Sequence, residues 1–501
     1  MLANRLVTSA DKYIDKIENV KIPTPLFALH IFFLISLRDI FEQIFFEEQF
    51  SIFQFMHHFF FYILMFQAGV IIISSIAKRD IEKVARIVSS GFFLILLPPL
   101  IDHFIFHRSF PYEYILPNEF IRQFLRFFLF TSKAGHGIAI EIAALLFLAS
   151  LYVGIKSRSL LRAVLTGIVL YILTSISVAP RLFLPIPDTQ KYIFYHSRHI
   201  IYFGFYFILN MVIGLIYLAR VNKHLPGALI KEMISFRTLH FILIVLVGAH
   251  FNDFLHFFVF PDFIYILTCV ALIIMIWMFT LLTNNVYDLE IDKVSNPHRP
   301  LVEGQVCPAH YLGIASVLAL IAIFMSPVLG SIPFVITLIS ILSSLAYSVP
   351  PIRLRRKLLS TVFIGWGSFL AFFIGIFATV RIKGISVDTK VIHVALLIFL
   401  AFSIGPLTKD LKDYEGDLKN GVRTLFTTYG IQKATKMASL FLGLSLVLPL
   451  SLFHTRQDFI VLGSLSILTV GSFYLRKSVS VSYIGYGLVF SYCGLRALGY
   501  L

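Results

Sequence analysis

Long apolar runs broken by short polar stretches set the pattern of this chain. In the first half they cover residues 55–76, 87–106, 138–155, 164–178 and 201–219, after a shorter run at 25–37. A helix needs about 20 apolar residues to cross a bilayer, so these six predict membrane helices, with 25–37 the thinnest. Nine further runs follow, at 239–260, 263–282, 311–329, 333–347, 359–380, 391–407, 434–453, 459–475 and 483–497. Between the two sets lies a stretch with Pro226, Gly227, Lys231 and Glu232 that reads as a connection. The expected organisation is an N-terminal membrane module over 1–222, a linker at 223–234 and a nine-helix bundle over 235–501. The fold class is an all-α polytopic membrane protein.

The ends of the pattern differ from its middle. Residues 1–21 balance Lys12, Lys16 and Lys21 against Asp11, Asp15 and Glu18, the pattern of an amphipathic helix on a membrane surface. They hold no apolar core with a small-residue cleavage site, so no cleaved signal peptide is expected. Residues 120–130, with Arg122 and Arg126 beside phenylalanines, read as a second interfacial segment.

Composition agrees with the membrane reading: 58% of residues are hydrophobic and 14% charged, which excludes an ordinary soluble domain. The net charge of +15 sits in short loops. Lys78, Arg79, Lys83 and Arg86 crowd one, Lys156, Arg158 and Arg162 another, and Arg220 with Lys223 close the first set. Arg353, Arg355, Arg356 and Lys357, then Lys409, Lys412, Lys419 and Arg423, and finally Arg476 and Lys477, mark alternate loops of the second. By the positive-inside rule these loops are cytoplasmic. Opposite them lie Glu42, Glu47 and Glu48 in the first half, and Arg381, Lys383, Lys390 and Arg456 in the second. Such spacing anchors a protein to an anionic leaflet and is no nucleic-acid footprint. Cys269, Cys307 and Cys493 have neither metal-ligand spacing nor a disulfide framework.

Two polar islands interrupt the expected cytoplasmic face. In 284–301, Asn284, Asp288 and Asp292 recur every four residues and share one helical face. Asp288 and Asp292 would then stand about 6 Å apart along the axis, a spacing that suits oxygen ligands of one divalent ion. In 409–425, Asp410, Asp413 and Asp417 again share a face, and D-L-E-I-D at 288–292 is echoed by D-Y-E-G-D at 413–417. Facing carboxylates need cations. Mg2+ takes one or two carboxylates together with phosphate oxygens, and Lys and Arg can clamp the remaining charge. The expected ligand is a lipid-linked diphosphate whose apolar tail runs between helices. In the first half, His57, His58, Asp102, His103, His136 and Glu141 are candidates because ionisable groups at membrane depth usually have work to do. They show no metal-ligand spacing and read first as structural or interfacial groups, and that half's role is not legible.

At the two islands the chain resembles the UbiA-type intramembrane prenyltransferases. The family's N-D-x-x-D-x-x-x-D motif is matched by Asn284, Asp288 and Asp292, with a trailing N-x-x-R-P at Asn296, Arg299 and Pro300. The second motif is matched by Lys409, Asp410, Asp413, Gly416, Asp417, Gly421, Thr424 and Leu425, and Y-S-V-P-P-I-R-L-R-R from Tyr347 resembles the family's tyrosine loop. The resemblance covers about 235–501. It implies Mg2+ held by Asp288, Asp292, Asp413 and Asp417, joined or supported by Asp410, the first four being catalytic. It also implies a polyprenyl diphosphate contacted by Asn284, Arg299, Tyr347, Arg353 and Lys409. The acceptor would be an aromatic ring, a chlorin or a glycerol lipid, with P-H-R-P and Y-S-V-P-P leaning towards the last two. Asn285 replaces an aspartate of the family pattern, which implies weakened or retuned metal binding. Pro351 replaces a lysine, whose charge Arg353 or Arg355 would supply. The rival readings are a phosphoribosyl-type transferase acting on a lipid, and a lipid-binding protein with a decayed site. On this view the first half is a transporter-like or acceptor-supplying module.

Overall fold

The structure is a computed structural model that describes residues 2–46, 51–108, 112, 114–126, 135–184, 192–251, 262–358, 360–378, 388–497 and 499–500. Among these residues every regular element is a helix, and the chain is an all-α polytopic membrane protein. Among the described residues, twelve helices are long and apolar enough to cross a membrane. The chain forms two compact units, 1–226 and 227–501. The stretch 223–234 is not extended: it contains the helix Leu225–Met233.

In the first unit, α1 (Leu2–Glu18), α2 (Thr24–Phe45), α3 (Ile52–Ala77), α4 (Ile81–Gly91), α5 (Leu97–Phe104), α6 (Pro117–Leu125), α7 (His136–Ser157), α8 (Leu160–Ser177) and α9 (Tyr192–Val221) follow in order. Six spans arise from α2, α3, the α4–α5 pair, α7, α8 and α9. The phenylalanine-rich α3 is central: it buries Met56, Phe59 and Phe60, and its Phe60 and Phe61 pack on Phe203 and Tyr206 of α9. Asn210 Nδ2 donates to the Phe60 carbonyl at 2.7 Å, tying α9 to α3. The acidic residues of α1 hold α7: the fully buried Lys156 ammonium lies 2.8 Å from Asp11 and 2.6 Å from Asp15.

The thin run at 25–37, expected to end before a loop holding Glu42, is instead the start of a longer helix, and α2 carries Arg38, Asp39 and Glu42 inside the bundle. Ionic side chains lower the apolar score of the second half of α2, but their partners are within the bundle. Asp102 is structural: it accepts from the Gly137 amide at 2.8 Å and the Tyr112 hydroxyl at 2.9 Å, and so caps the start of α7. Gly135, at φ +81°, passes so close that a Cβ there would sit 2.3 Å from the Asp102 carboxylate. His103 stacks on Phe45, and His136 lies against Phe106.

The second unit contains α10 (Leu225–Met233) for the most part, then α11 (Phe236–His250), α12 (Asp262–Tyr287), α13 (Leu289–Ser295), α14 (Pro308–Met325), α15 (Ser331–Ser348) and α16 (Val362–Ala378). It continues with α17 (Thr389–Ile404), α18 (Tyr414–Lys419), α19 (Leu425–Val447), α20 (Arg456–Arg476) and α21 (Val479–Ala497). Nine of these correspond to the nine apolar runs, while α10, α13 and α18 are short additions at or beside polar stretches. Helices α11 and α16 touch backbone to backbone. A Cβ at Gly248 would lie 2.1 Å from the Phe372 carbonyl oxygen, and one at Gly375 would lie 2.0 Å from that of Val245. Small residues permit this approach, which apolar lipid alone would not drive. Several expected features lie outside the described residues: 252–260 and 379–380 of two runs, residues 127–130, Glu47, Glu48, Arg381 and Lys383.

Candidate active site

Both islands fold in the same way. Helix α12 ends at Tyr287, Asp288 takes a non-helical conformation (φ −99°, ψ 13°), and α13 restarts at once. The ladder survives the break, with Asp288 N to Asn284 O at 2.8 Å and Asp292 N to Asp288 O at 2.9 Å. In the second island a 3₁₀ turn (Gly405–Leu411) leads to Asp413 (φ −94°, ψ 5°), and α18 follows, with Asp417 N to Asp413 O at 2.8 Å. Asp413 thus repeats Asp288, and Asp417 repeats Asp292. An aspartate at an N-cap ordinarily accepts from the first helical amides. Neither Asp288 nor Asp413 does so, which leaves both carboxylates for other partners.

The two short helices face each other. At the position that repeats Ile291 the second island has Gly416, where a Cβ would sit 2.3 Å from Ser295 Oγ and 2.8 Å from the Ile291 carbonyl. Only the missing side chain lets α13 and α18 come this close. Asn296 bridges the islands, donating to Asp292 at 2.9 Å and to Asp413 at 3.2 Å.

Arginines fill the space between the carboxylates. Arg355 places Nε 3.3 Å from Asp288 and Nη2 3.1 Å from Asp417 and 4.0 Å from Asp413, so one guanidinium spans both islands. Arg353 reaches Asp288 at 3.2 Å and also donates to the Tyr287 carbonyl. Arg299 pairs with Asp292 and donates to Asn285 Oδ1 at 2.8 Å. Burial pushes the Asp292 and Asp417 carboxyls up to about 6, outweighing the opposing pull of Arg299 on the first and Arg355 on the second. The Arg355 guanidinium is held above its ordinary value because Tyr347, Asp288, Asp417 and Asp410 around it outweigh its own burial.

Above these groups opens a cavity of about 930 Å³, near the top of the range for small-molecule sites. Its polar end takes in Asn284, Asp288, Asp292, Asn296, Arg299 and Asp413, with Tyr347, Arg355 and Lys409 beside them. Its remainder is walled by apolar and aromatic side chains, among them Phe241, Trp277, Trp366, Phe402 and Phe490. The expected site residues therefore divide. Asn284, Asp288, Asp292, Arg299, Tyr347, Lys409 and Asp413 line the cavity, whereas Arg353, Asp410 and Asp417 stand behind its wall. Asp410 is 1% exposed, and neither of its carboxylate oxygens has a hydrogen-bond partner, its nearest cation being the Lys409 ammonium at 3.9 Å. Asp417 Oδ2 is likewise buried without a partner.

Asn285 takes a different place from the one its motif position implies. It is 1% exposed, does not line the cavity, and connects Glu232 to Arg299. Its Nδ2 donates to Glu232 Oε1 at 3.0 Å, while its Oδ1 accepts from Arg299. In the sequence Glu232 carries no signal beyond being a lone acid in the expected linker. Arg353 and Arg355, two residues apart, cannot be ranked without the turn that aims them.

Comparison with known proteins bears on residues 241–482, which match the UbiA prenyltransferase family. Over 177 residues the chain is 29% identical to the bacteriochlorophyll synthase 33 kDa chain of Rhodobacter capsulatus, covering 34% of this chain and 57% of that protein. Over 171 residues it is 30% identical to the digeranylgeranylglyceryl phosphate synthase of Saccharolobus solfataricus, covering 34% of this chain and 59% of that one. The chain thus spans under two thirds of the length of these relatives. A solved UbiA homolog from Archaeoglobus fulgidus bound to GPP and Mg2+ aligns over 53% of this chain and 95% of that chain, with 16% identity and a TM-score of 0.41.

Proposed function

Residues 241–482 belong to the UbiA prenyltransferase family, and from that premise we propose that the second unit transfers a prenyl group from a polyprenyl diphosphate to a lipophilic acceptor within the membrane. The observation that carries this reading is a single cavity with paired acidic islands and cations at one end and aromatic walls along the rest. A diphosphate needs the first environment and a prenyl chain the second.

The donor set suits Mg2+. Its atoms are carboxylate oxygens, as a hard divalent cation requires, and three of them, on Asp410 and Asp417, are buried without partners. Asp288, Asp292, Asp413 and Asp417 would hold the metal, with Asp410 joining or supporting them. As the chain stands, Arg355 and Arg299 occupy the carboxylates, so loading with metal and diphosphate requires these guanidiniums to turn from aspartate to phosphate oxygens. When bound, Mg2+ neutralises charge on the departing diphosphate.

The chain's own groups do the rest. Arg299, Arg355 and Lys409 line the polar end and are placed to take up charge as the carbon–oxygen bond to diphosphate breaks. Asn284 and Tyr347 offer polar groups at the same end, and Arg353 holds Asp288 from behind. The aromatic walls exclude water from the allylic cation, so that the acceptor forms the new bond to carbon and releases a proton. Acceptors of the chlorin or glycerol-lipid type accord with the names of the relatives above. The loops bearing the islands carry the cations and are assigned to the cytoplasmic side.

Membranes with and without the protein, given a mixed set of prenyl diphosphates, test the proposal by lipid mass spectrometry. New prenylated lipid that disappears in EDTA supports it. Unchanged lipids with every prenyl donor, or new product only with phosphoribosyl diphosphate, overturn it.

A further inference from the structure

The first unit has a buried ionic cluster of its own. Asp39 and Glu42 lie one turn apart on α2, and His58 approaches from α3. One ligand atom from each lies within 4.8 Å of the other two, and among the described residues no other group of three His, Cys, Asp or Glu side chains converges in this way. His58 Nδ1 is 2.9 Å from Asp39 Oδ1 and 4.0 Å from Glu42 Oε2.

Charge is out of balance at this place. Glu141 from α7 adds a third carboxylate, 3.7 Å from Arg38, and the same Arg38 also serves Glu42 at 2.8 Å. Arg38 thus pairs with Glu42 and Glu141, whereas Asp39 faces His58 and accepts from Gln43 Nε2. With all three carboxylates ionised, Arg38 and a protonated His58 leave one negative charge inside an apolar bundle, and buried ions are costly unless paired. A divalent cation on a neutral His58 leaves none. Arg38 supplies an independent sign of a ligand: it is 3% exposed, lines a neighbouring cavity and leaves its Nε without a partner.

That cavity, about 270 Å³, is polar at the end formed by Arg38, Glu42, His58 and Glu141 and mostly aliphatic and aromatic elsewhere. We propose that Asp39, Glu42 and His58 hold a divalent metal ion whose open coordination positions face this cavity, which takes a small lipophilic ligand through an oxygen head group. Three protein ligands beside an open position is the arrangement of reactive, not structural, metal sites. One imidazole with two carboxylates suits Zn2+, Mn2+ or Fe2+ better than Mg2+. Arg38 Nε is the donor available to the head group. The site is independent of the prenyl-transfer reading, since all its residues belong to the first unit.

The test is metal binding by the full-length protein in detergent. In a chain carrying Asp288→Asn and Asp413→Asn, stripped with EDTA and titrated with Co2+, one equivalent per chain is expected, with a ligand-field spectrum showing nitrogen ligation. Adding Asp39→Asn or His58→Ala should weaken this binding at least tenfold. Wild-type protein titrated with Co2+ in excess Mg2+ should give the same single equivalent, so the test does not depend on the doubly substituted chain folding. No Co2+ above a buffer blank in monodisperse wild-type protein would overturn the proposal. So would full affinity in both Asp39→Asn and His58→Ala.

Discussion

Replacing Asn285 by aspartate restores the letter of the family motif, and the structure predicts that this harms the protein. Asn285 is a buried link that donates to Glu232 at 3.0 Å and accepts from Arg299 at 2.8 Å. An aspartate there keeps the second bond and loses the first, placing two carboxylates face to face. With an effective dielectric of about 20, two unit charges 3 Å apart repel by about 5 kcal/mol, and the new attraction to Arg299 at a similar distance offsets about as much. What is not offset is the missing donor, which at a buried site costs about 1–3 kcal/mol. Asn285→Asp should therefore lower stability by about that amount, and Glu232→Gln in the same chain should recover most of it by returning an amide donor. Thermal unfolding of the two single variants and the double variant in nanodiscs gives the coupling directly. The reasoning is refuted if Asn285→Asp alone leaves stability unchanged while it tightens the Mg2+ requirement and raises turnover, because Asn285 would then face the metal and not Arg299.

Other consequences are simpler. Arg355→Gln should abolish most activity and destabilise the site, because the carboxylates of Asp288 and Asp417 lose a buried partner, a loss of about 3–5 kcal/mol when uncompensated; a denaturation curve and a turnover assay check both. Gly416→Ala should cut turnover at least tenfold, and Ser295→Ala should not fully rescue it, because the Ile291 carbonyl also stands 2.8 Å from the added carbon. Gly367→Leu should penalise long prenyl donors more than short ones, measured as kcat/KM across chain lengths, because residue 367 lines the apolar part of the cavity beside Phe241. Lys156→Met should free α1 from α7, seen as faster limited proteolysis within residues 2–18, because Asp11 and Asp15 lose their shared cation.

Most of the architecture was legible because membrane helices announce themselves by length and apolarity, and the islands stand out against them. The breaks inside the islands were not: spacing alone put Asn284, Asp288 and Asp292 on one unbroken helix, whereas Asp288 and Asp413 interrupt theirs. Nor was the meaning of Asn285, whose partner Glu232 is 53 residues away in sequence. The N-terminal cluster was hidden for a related reason. Arg38, Asp39 and Glu42 ended the apolar run at residue 37, and only the fold brings His58 and Glu141 to them.

Whether one cavity in the second unit binds diphosphate through its two islands and transfers the attached chain is tested most directly with purified protein given radiolabelled geranylgeranyl diphosphate, Mg2+ and a lipid extract as acceptor source. Labelled lipid and free inorganic diphosphate are followed together. The two should appear in equal amounts, stop in EDTA, and be lost in Asp288→Asn and in Asp413→Asn. Label that stays with the diphosphate, or product formation that survives both substitutions, would contradict it.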